Sequence, residues 1–231
     1  MSQGYGNLIA ARLRRLAGTG RTGVLPFAGH AEGALYFSDG RVVFAESAGT
    51  PGPVTGAPPE RAATLAALTG AAEPIADAAL DLMQGRSSPS RFRSAKVPAA
   101  GLTDGFGVES LLAEVARRQN ILEQFASTVR ADTTVVRRPR PNLRGVQVSA
   151  FQWALLVRVA DGSTARALAW DLRRSVFAMT IDVYRLMVLR LLSAVDYPVV
   201  PGMRPLGEPA GRSVLPMSFL RAVSTKNGGV R

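Results

Sequence analysis

The chain has no cysteine and a single histidine, His30. Disulfides and thiolate metal sites are therefore excluded, and one histidine leaves little from which to build a zinc centre. A carboxylate-only metal site would need an acidic cluster, and the sequence has none. Lysine is almost missing as well, with Lys96 and Lys226 alone among 28 basic residues. No stretch approaches the roughly 18 unbroken apolar residues of a membrane span. The N-terminal residues 1–18 are not a signal peptide, because helically spaced apolar positions are interrupted by Arg12, Arg14 and Arg15. These absences lead us to expect a cytoplasmic protein without metal, cofactor or membrane partner.

What is present is positive charge, unevenly placed. Of the net charge of +11, most lies after residue 130, where 15 basic residues face 6 acidic ones. Residues 1–130 are close to neutral. A GC-rich coding sequence accounts for arginine over lysine but not for this one-sided excess. A basic half beside a neutral half suggests a polyanion-binding module attached to something else, with nucleic acid the usual polyanion.

The pattern along the chain predicts an α+β fold. Asn7–Ala17 has the spacing of an amphipathic helix, with Gly18 as its stop. Thr22–Phe27, Gly33–Phe37 and Val42–Glu46 read as strands, the last two joined by the Asp39-Gly40 turn, giving a small antiparallel β-meander. Two helices are expected at Glu60–Thr69 and Pro74–Gln84, a short strand around Arg91–Ala95, and a long helix at Val108–Thr128. The stretch Ala131–Gly145, with Arg137-Arg138-Pro139-Arg140-Pro141 inside it, reads as a linker. Three helices follow at Ala150–Ala160, Thr164–Arg173 and Thr180–Leu189, with Asp161-Gly162-Ser163 as turn and N-cap of the second. The expected organisation is residues 1–130, a basic linker 131–147, a three-helix domain 148–195, and a Pro/Gly-rich basic tail 196–231.

Several motifs fail on inspection. Gly18-Thr19-Gly20-Arg21-Thr22-Gly23 spells G-x-G-x-x-G, but a helix precedes it and a strand follows, the reverse of a dinucleotide site. His30 lies in a Gly-rich turn with no serine nucleophile nearby, and reads as an exposed loop histidine. Asp77 and Asp81 share one helix face and read as a solvated pair. No catalytic constellation is found, so no enzyme is expected. Arg137 to Arg144 (RRPRPNLR) is similar to minor-groove arms but lacks their central glycine; a solvated basic linker is the alternative.

Thr22-Gly23-Val24-Leu25, followed by Gly33 to Ala45 (GALYFSDGRVVFA), resembles the PATAN domain, the N-terminal region of PatA-type response regulators. Val108 to Arg118 (VESLLAEVARR) is similar to the helix that closes such domains. Val148 to Leu192 looks like the winged-helix (helix-turn-helix) module that often follows, with Trp153, Asp161-Gly162 and Ala167-Leu168-Ala169 at the matching positions. The resemblance implies a non-enzymatic bacterial signalling or regulatory protein. Its PATAN-like part would dock an unidentified signalling protein, and its C-terminal part would be a three-helix winged-helix-like domain. The family commonly has glycine before and after the third helix, at the positions of Arg173 and Arg190 here.

In a helix-turn-helix the exposed face of the third helix enters the major groove. With Val183, Leu186 and Met187 facing the core, the opposite face is Ile181, Tyr184, Arg185 and Val188. That face is largely apolar, whereas the net charge favours a polyanion. The leading expectation is a transcriptional regulator that binds double-stranded DNA. Arg137, Arg138, Arg140, Arg144, Arg173, Arg174 and Arg185 would hold phosphates, with Thr180 and Tyr184 near the bases. The alternative is an adaptor that does not bind DNA and docks protein through Ile181, Tyr184 and Val188. The long helix is compatible with a homodimer, although such helices more often pack within their own domain.

Overall fold

The computed structural model describes residues 3–52, 65–84, 87–98, 101–102, 104–138, 146–160 and 162–195. The described residues fold as one compact unit with two neighbouring cores. The basic tail lies outside the described residues, as do Arg140 and Arg144.

Helix α1 (Gln3–Gly18) leads into the meander β1 (Gly23–Gly29), β2 (Gly33–Ser38) and β3 (Arg41–Ser47). All pairings are antiparallel, and the sheet order is β3-β2-β1-β4, with β4 at Ser87–Pro89. The turn between β2 and β3 takes positive φ at both Asp39 and Gly40, the backbone that twists two strands into a tight hairpin. Beside it Tyr36 and Phe44 meet edge to face, and the Tyr36 hydroxyl donates to Glu46 at 2.8 Å.

Helix α2 (Leu65–Gln84) is one helix where two are expected, and Pro74 lies inside it. The proline removes a single backbone donor. Ile75, Ala76, Ala78, Ala79, Leu80 and Leu82 are buried just beyond it, and that burial holds the helix together against the local break. Residues 60–64 of the expected first helix lie outside the described set. The fourth strand, β4 (Ser87–Pro89), comes earlier than expected, and of residues 91–95 only Arg93 bridges to β1. Its proline sits at the sheet edge, where no ladder donor is needed.

Helix α3 (Val108–Glu123) belongs to both cores. Val108, Leu111 and Val115 pack into the first, Phe125 and Val129 just beyond the helix pack into the second, and Ile121 and Leu122 touch both. Strand β5 (Thr134–Arg137) then occupies part of the stretch expected to be a linker. It is the central strand of a second sheet, ordered β6-β5-β7, with β6 at Ser163–Thr164 and β7 at Leu192–Ala194. Around it stand α4 (Ala150–Arg158), α5 (Ala165–Leu172) and α6 (Val176–Val188). Ser149 and Gln152 form a capping box on α4. The N-cap of α5 is Thr164, accepting from Ala167 N–H; Ser163, in the turn expected to supply the cap, accepts from Ala160 N–H instead.

The molecule is thus mixed α+β, with two small antiparallel sheets and six helices among the described residues. No helix among them is long and apolar enough to cross a membrane.

Candidate nucleic-acid interface and the joint between the two cores

The third C-terminal helix is not presented as the sequence suggests. Thr180 is only 2% exposed and its hydroxyl donates to Val176 O at 2.7 Å, so it is withdrawn from any base contact. Tyr184 stacks on Phe125 with ring centroids 4.5 Å apart, and Ile181 packs against both cores. Of the apolar face expected to be free, Val188 alone is exposed. Ile181 and Tyr184 are half-buried, Tyr184 against Phe125 just beyond α3, so the expected face is only partly open. Tyr184, Met187 and Val188 border an open depression of about 440 Å³, with Leu192 and Arg138 also on its lining.

The arginines sort into two groups by their partners. Arg158 pairs with Asp171 at 2.7 Å, Arg166 with Asp132 at 2.6 Å, and Arg185 with Asp182 at 3.4 Å. Arg137, Arg138, Arg173, Arg174 and Arg190 are exposed and have no carboxylate partner among the described residues. Arg174 lies over the Phe151 ring, 4.5 Å from its centroid, which fixes its stem while leaving the charge at the surface.

Arg173 and Arg190 flank α6 with left-handed backbone, at φ 52° and 58°. Both end helices by the same device: Arg174 N–H reaches back to Ala169 O and Leu191 N–H to Leu186 O, each at 2.9 Å. Glycine normally fills such positions because a Cβ there is strained. The turn geometry of a glycine is therefore kept, with an arginine carried in its place.

The joint between the cores is built by residues that the sequence reading set aside. Asp77 and Asp81 of α2 are not a solvated pair. Asp77 is 2% exposed and caps α6, accepting from Ser175 Oγ at 3.0 Å, Val176 N–H at 2.6 Å and Phe177 N–H at 3.4 Å. Arg118 of α3 donates to the same carboxylate at 3.0 Å, lies 4.8 Å over the Phe177 ring, and is itself held by Glu114 at 2.7 Å. One turn along α2, Asp81 accepts from Arg166 of α5 at 3.1 Å and from Ser47 Oγ. The available signal was a carboxylate pair set among apolar positions of an Ala-rich helix.

Burial pushes the Asp77 carboxyl above its usual range, while Arg118, Ser175 and the two amides pull it down by less. A carboxyl raised in the native state favours folding in its protonated form. Its own titration therefore adds stability as the pH falls, and acid does not undo this contact through Asp77. Glu114 behaves in the opposite way. The hydrogen bond from Arg117, opposed by burial and aided by Arg118, holds it down at about 2 against an ordinary value of 4.5. Its contribution is present above pH 4.5 and is lost as the pH falls from there towards 2. Thermal unfolding across that window should show a falling midpoint in the wild type and a weaker fall in Glu114→Gln; equal falls would contradict the assignment. Comparison with protein families, curated proteins and solved structures gave no match.

Proposed function

We propose that the chain is a non-enzymatic regulatory protein that grips the phosphates of double-stranded DNA with little reading of bases. The observation that carries this reading is the surplus of exposed arginines in the C-terminal half. Asp132, Asp171 and Asp182 are spent on Arg166, Arg158 and Arg185, leaving Arg137, Arg138, Arg173, Arg174 and Arg190 to present uncompensated charge. Two of these sit on strained backbone, and strain of that kind tends to persist where a side chain serves a function. The resemblance to a PATAN domain followed by a winged-helix module supports the same reading. The order strand, helix, short strand, helix, helix, strand around one small sheet is compatible with such a module, although its central strand comes from before the first helix. Contacts of this type fix position on the duplex without specifying sequence.

The test replaces Arg173 and Arg190 together by glycine. Left-handed backbone costs a non-glycine residue about 1–2 kcal/mol, and glycine returns about half of that as chain entropy. Each site then gains about 0.5–1 kcal/mol, so the double variant should gain about 1–2 kcal/mol in urea unfolding by that arithmetic. At the same time the slope of log K against log salt for duplex binding should shrink by about 2. Greater stability with an unchanged slope would remove both residues from the interface.

A second reading, a signalling adaptor that does not bind DNA, is favoured by a different surface. Trp153 and Val157 stand one turn apart on α4, 58% and 61% exposed, and Trp170 of α5 is 41% exposed. Exposed aromatic side chains of this size are uncommon away from binding surfaces.

A further inference from the structure

We propose that the free edge of β7 docks an extended acidic peptide, which adds a strand to the second sheet and sets an apolar side chain into the depression beside α6. β7 is the last strand in the order β6-β5-β7, and among the described residues it pairs with β5 alone. Its pairing decides which backbone groups point outward. Arg138 N–H donates to Leu191 O and Val195 N–H to Thr134 O, so Leu191, Ser193 and Val195 turn their amides and carbonyls towards β5. By the same alternation Leu192 and Ala194 turn theirs to the open edge. Those groups have no backbone partner among the described residues. An edge of this kind is a template for another strand.

The depression of about 440 Å³ runs along this strand, for all of β7 lines it together with Tyr184, Met187 and Val188 of α6. Its α6 side is largely apolar, and Val188 there is 62% exposed. Among the described residues the one charged side chain on the lining is Arg138, which has no carboxylate partner. Arg190, equally unpaired, precedes β7 by two residues. A polypeptide answers all three features at once. Its main chain bonds the edge, every second side chain turns towards the apolar floor, and a carboxylate meets the guanidinium. A duplex has neither a row of backbone N–H groups nor an apolar side chain to offer. A second copy fits less well, because β7 against β7 would gather the unpaired arginines of both chains on one edge.

The experiment is fluorescence anisotropy of the full chain with labelled peptides of about six residues, the usual length of a strand, alternating glutamate with valine or leucine. The wild type should bind them saturably, and should bind the same peptides with lysine for glutamate about tenfold more weakly. Ala194→Pro removes an N–H from the open edge while Ser193 keeps the ladder to β5, so the sheet stands and peptide affinity falls about tenfold. Val188→Asp sets a carboxylate against the acidic peptide and should cost a similar factor. Val157→Asp is the matched control, at a site 61% exposed on α4 and outside the depression, and should bind as the wild type does. Equal affinity of the wild type, Ala194→Pro and Val188→Asp overturns the proposal. So does an equal loss in Val157→Asp, which would make net charge the cause, or no peptide binding by the wild type. A wild-type dimer in sedimentation that Ala194→Pro separates would give the edge to a second copy and overturn it as well. Duplex binding is a separate reading: Ala194→Pro should bind DNA as the wild type does, so failure of either proposal leaves the other standing.

Discussion

Replacing Arg118 by alanine should lower the stability of the protein by about 3–5 kcal/mol, the usual cost of removing one partner from a buried ion pair. The side chains of Arg118 and Asp77 are 7% and 2% exposed, so the carboxylate left behind has no water to take the place of the guanidinium. The three remaining donors from α6 offset part of that loss, which argues for the lower end of the range. Two further contacts go with the arginine: its bond to Glu114 and its packing over Phe177. Lysine should not restore the wild type, because a single ammonium cannot bridge Asp77 and Glu114 while lying flat on an aromatic ring. The exposed pair Arg14–Glu109, with side chains 54% and 69% exposed, provides the contrast. Arg14→Ala should cost about 0–1 kcal/mol. Urea unfolding of both variants checks the pair of values, and similar small losses would mean that the buried joint is not holding the two cores together.

The second large effect is expected at Gly40. Its φ of +75° suits the hairpin turn, and a Cβ built there would press into the Ala17 carbonyl, where α1 passes the turn. Alanine therefore meets backbone strain of about 1–2 kcal/mol together with an overpacking cost of similar size. Gly40→Ala should be destabilised by about 2–4 kcal/mol by those two costs, read as a lower midpoint in urea. Asp39 has positive φ as well, yet it is exposed, and aspartate tolerates that backbone. Asp39→Gly should thus be close to neutral in the same assay, and a loss there matching that of Gly40→Ala would contradict the account of the turn.

The meander was legible because each of its signals is local: β-branched and aromatic runs, and an Asp-Gly pair at the hairpin. Strand β5 was missed because Thr134-Val135-Val136 is short and runs directly into arginine and proline, and its partners β6 and β7 are distant in sequence. The unbroken α2 was missed because a proline is a local signal, while the burial that overrides it is tertiary. The spacing of Asp77 and Asp81 put them on one face, but spacing does not say whether that face meets water or another helix. For the same reason spacing places Thr180 and Tyr184 at an open surface, whereas Thr180 is buried and Tyr184 is half-buried against Phe125. The left-handed backbone at Arg173 and Arg190 has no local signal, since glycine is the residue that usually marks such a helix end.

The basic C-terminal half is proposed to bind duplex DNA through its phosphates. The most direct measurement is fluorescence anisotropy of the purified wild-type chain on random and genomic duplexes across a salt series. With five exposed arginines in play, log K should fall with log salt with a slope of about −4 or steeper, and similarly for both kinds of duplex. No binding even at low salt would contradict the claim and move the search to protein partners of the Trp153 and Trp170 surface.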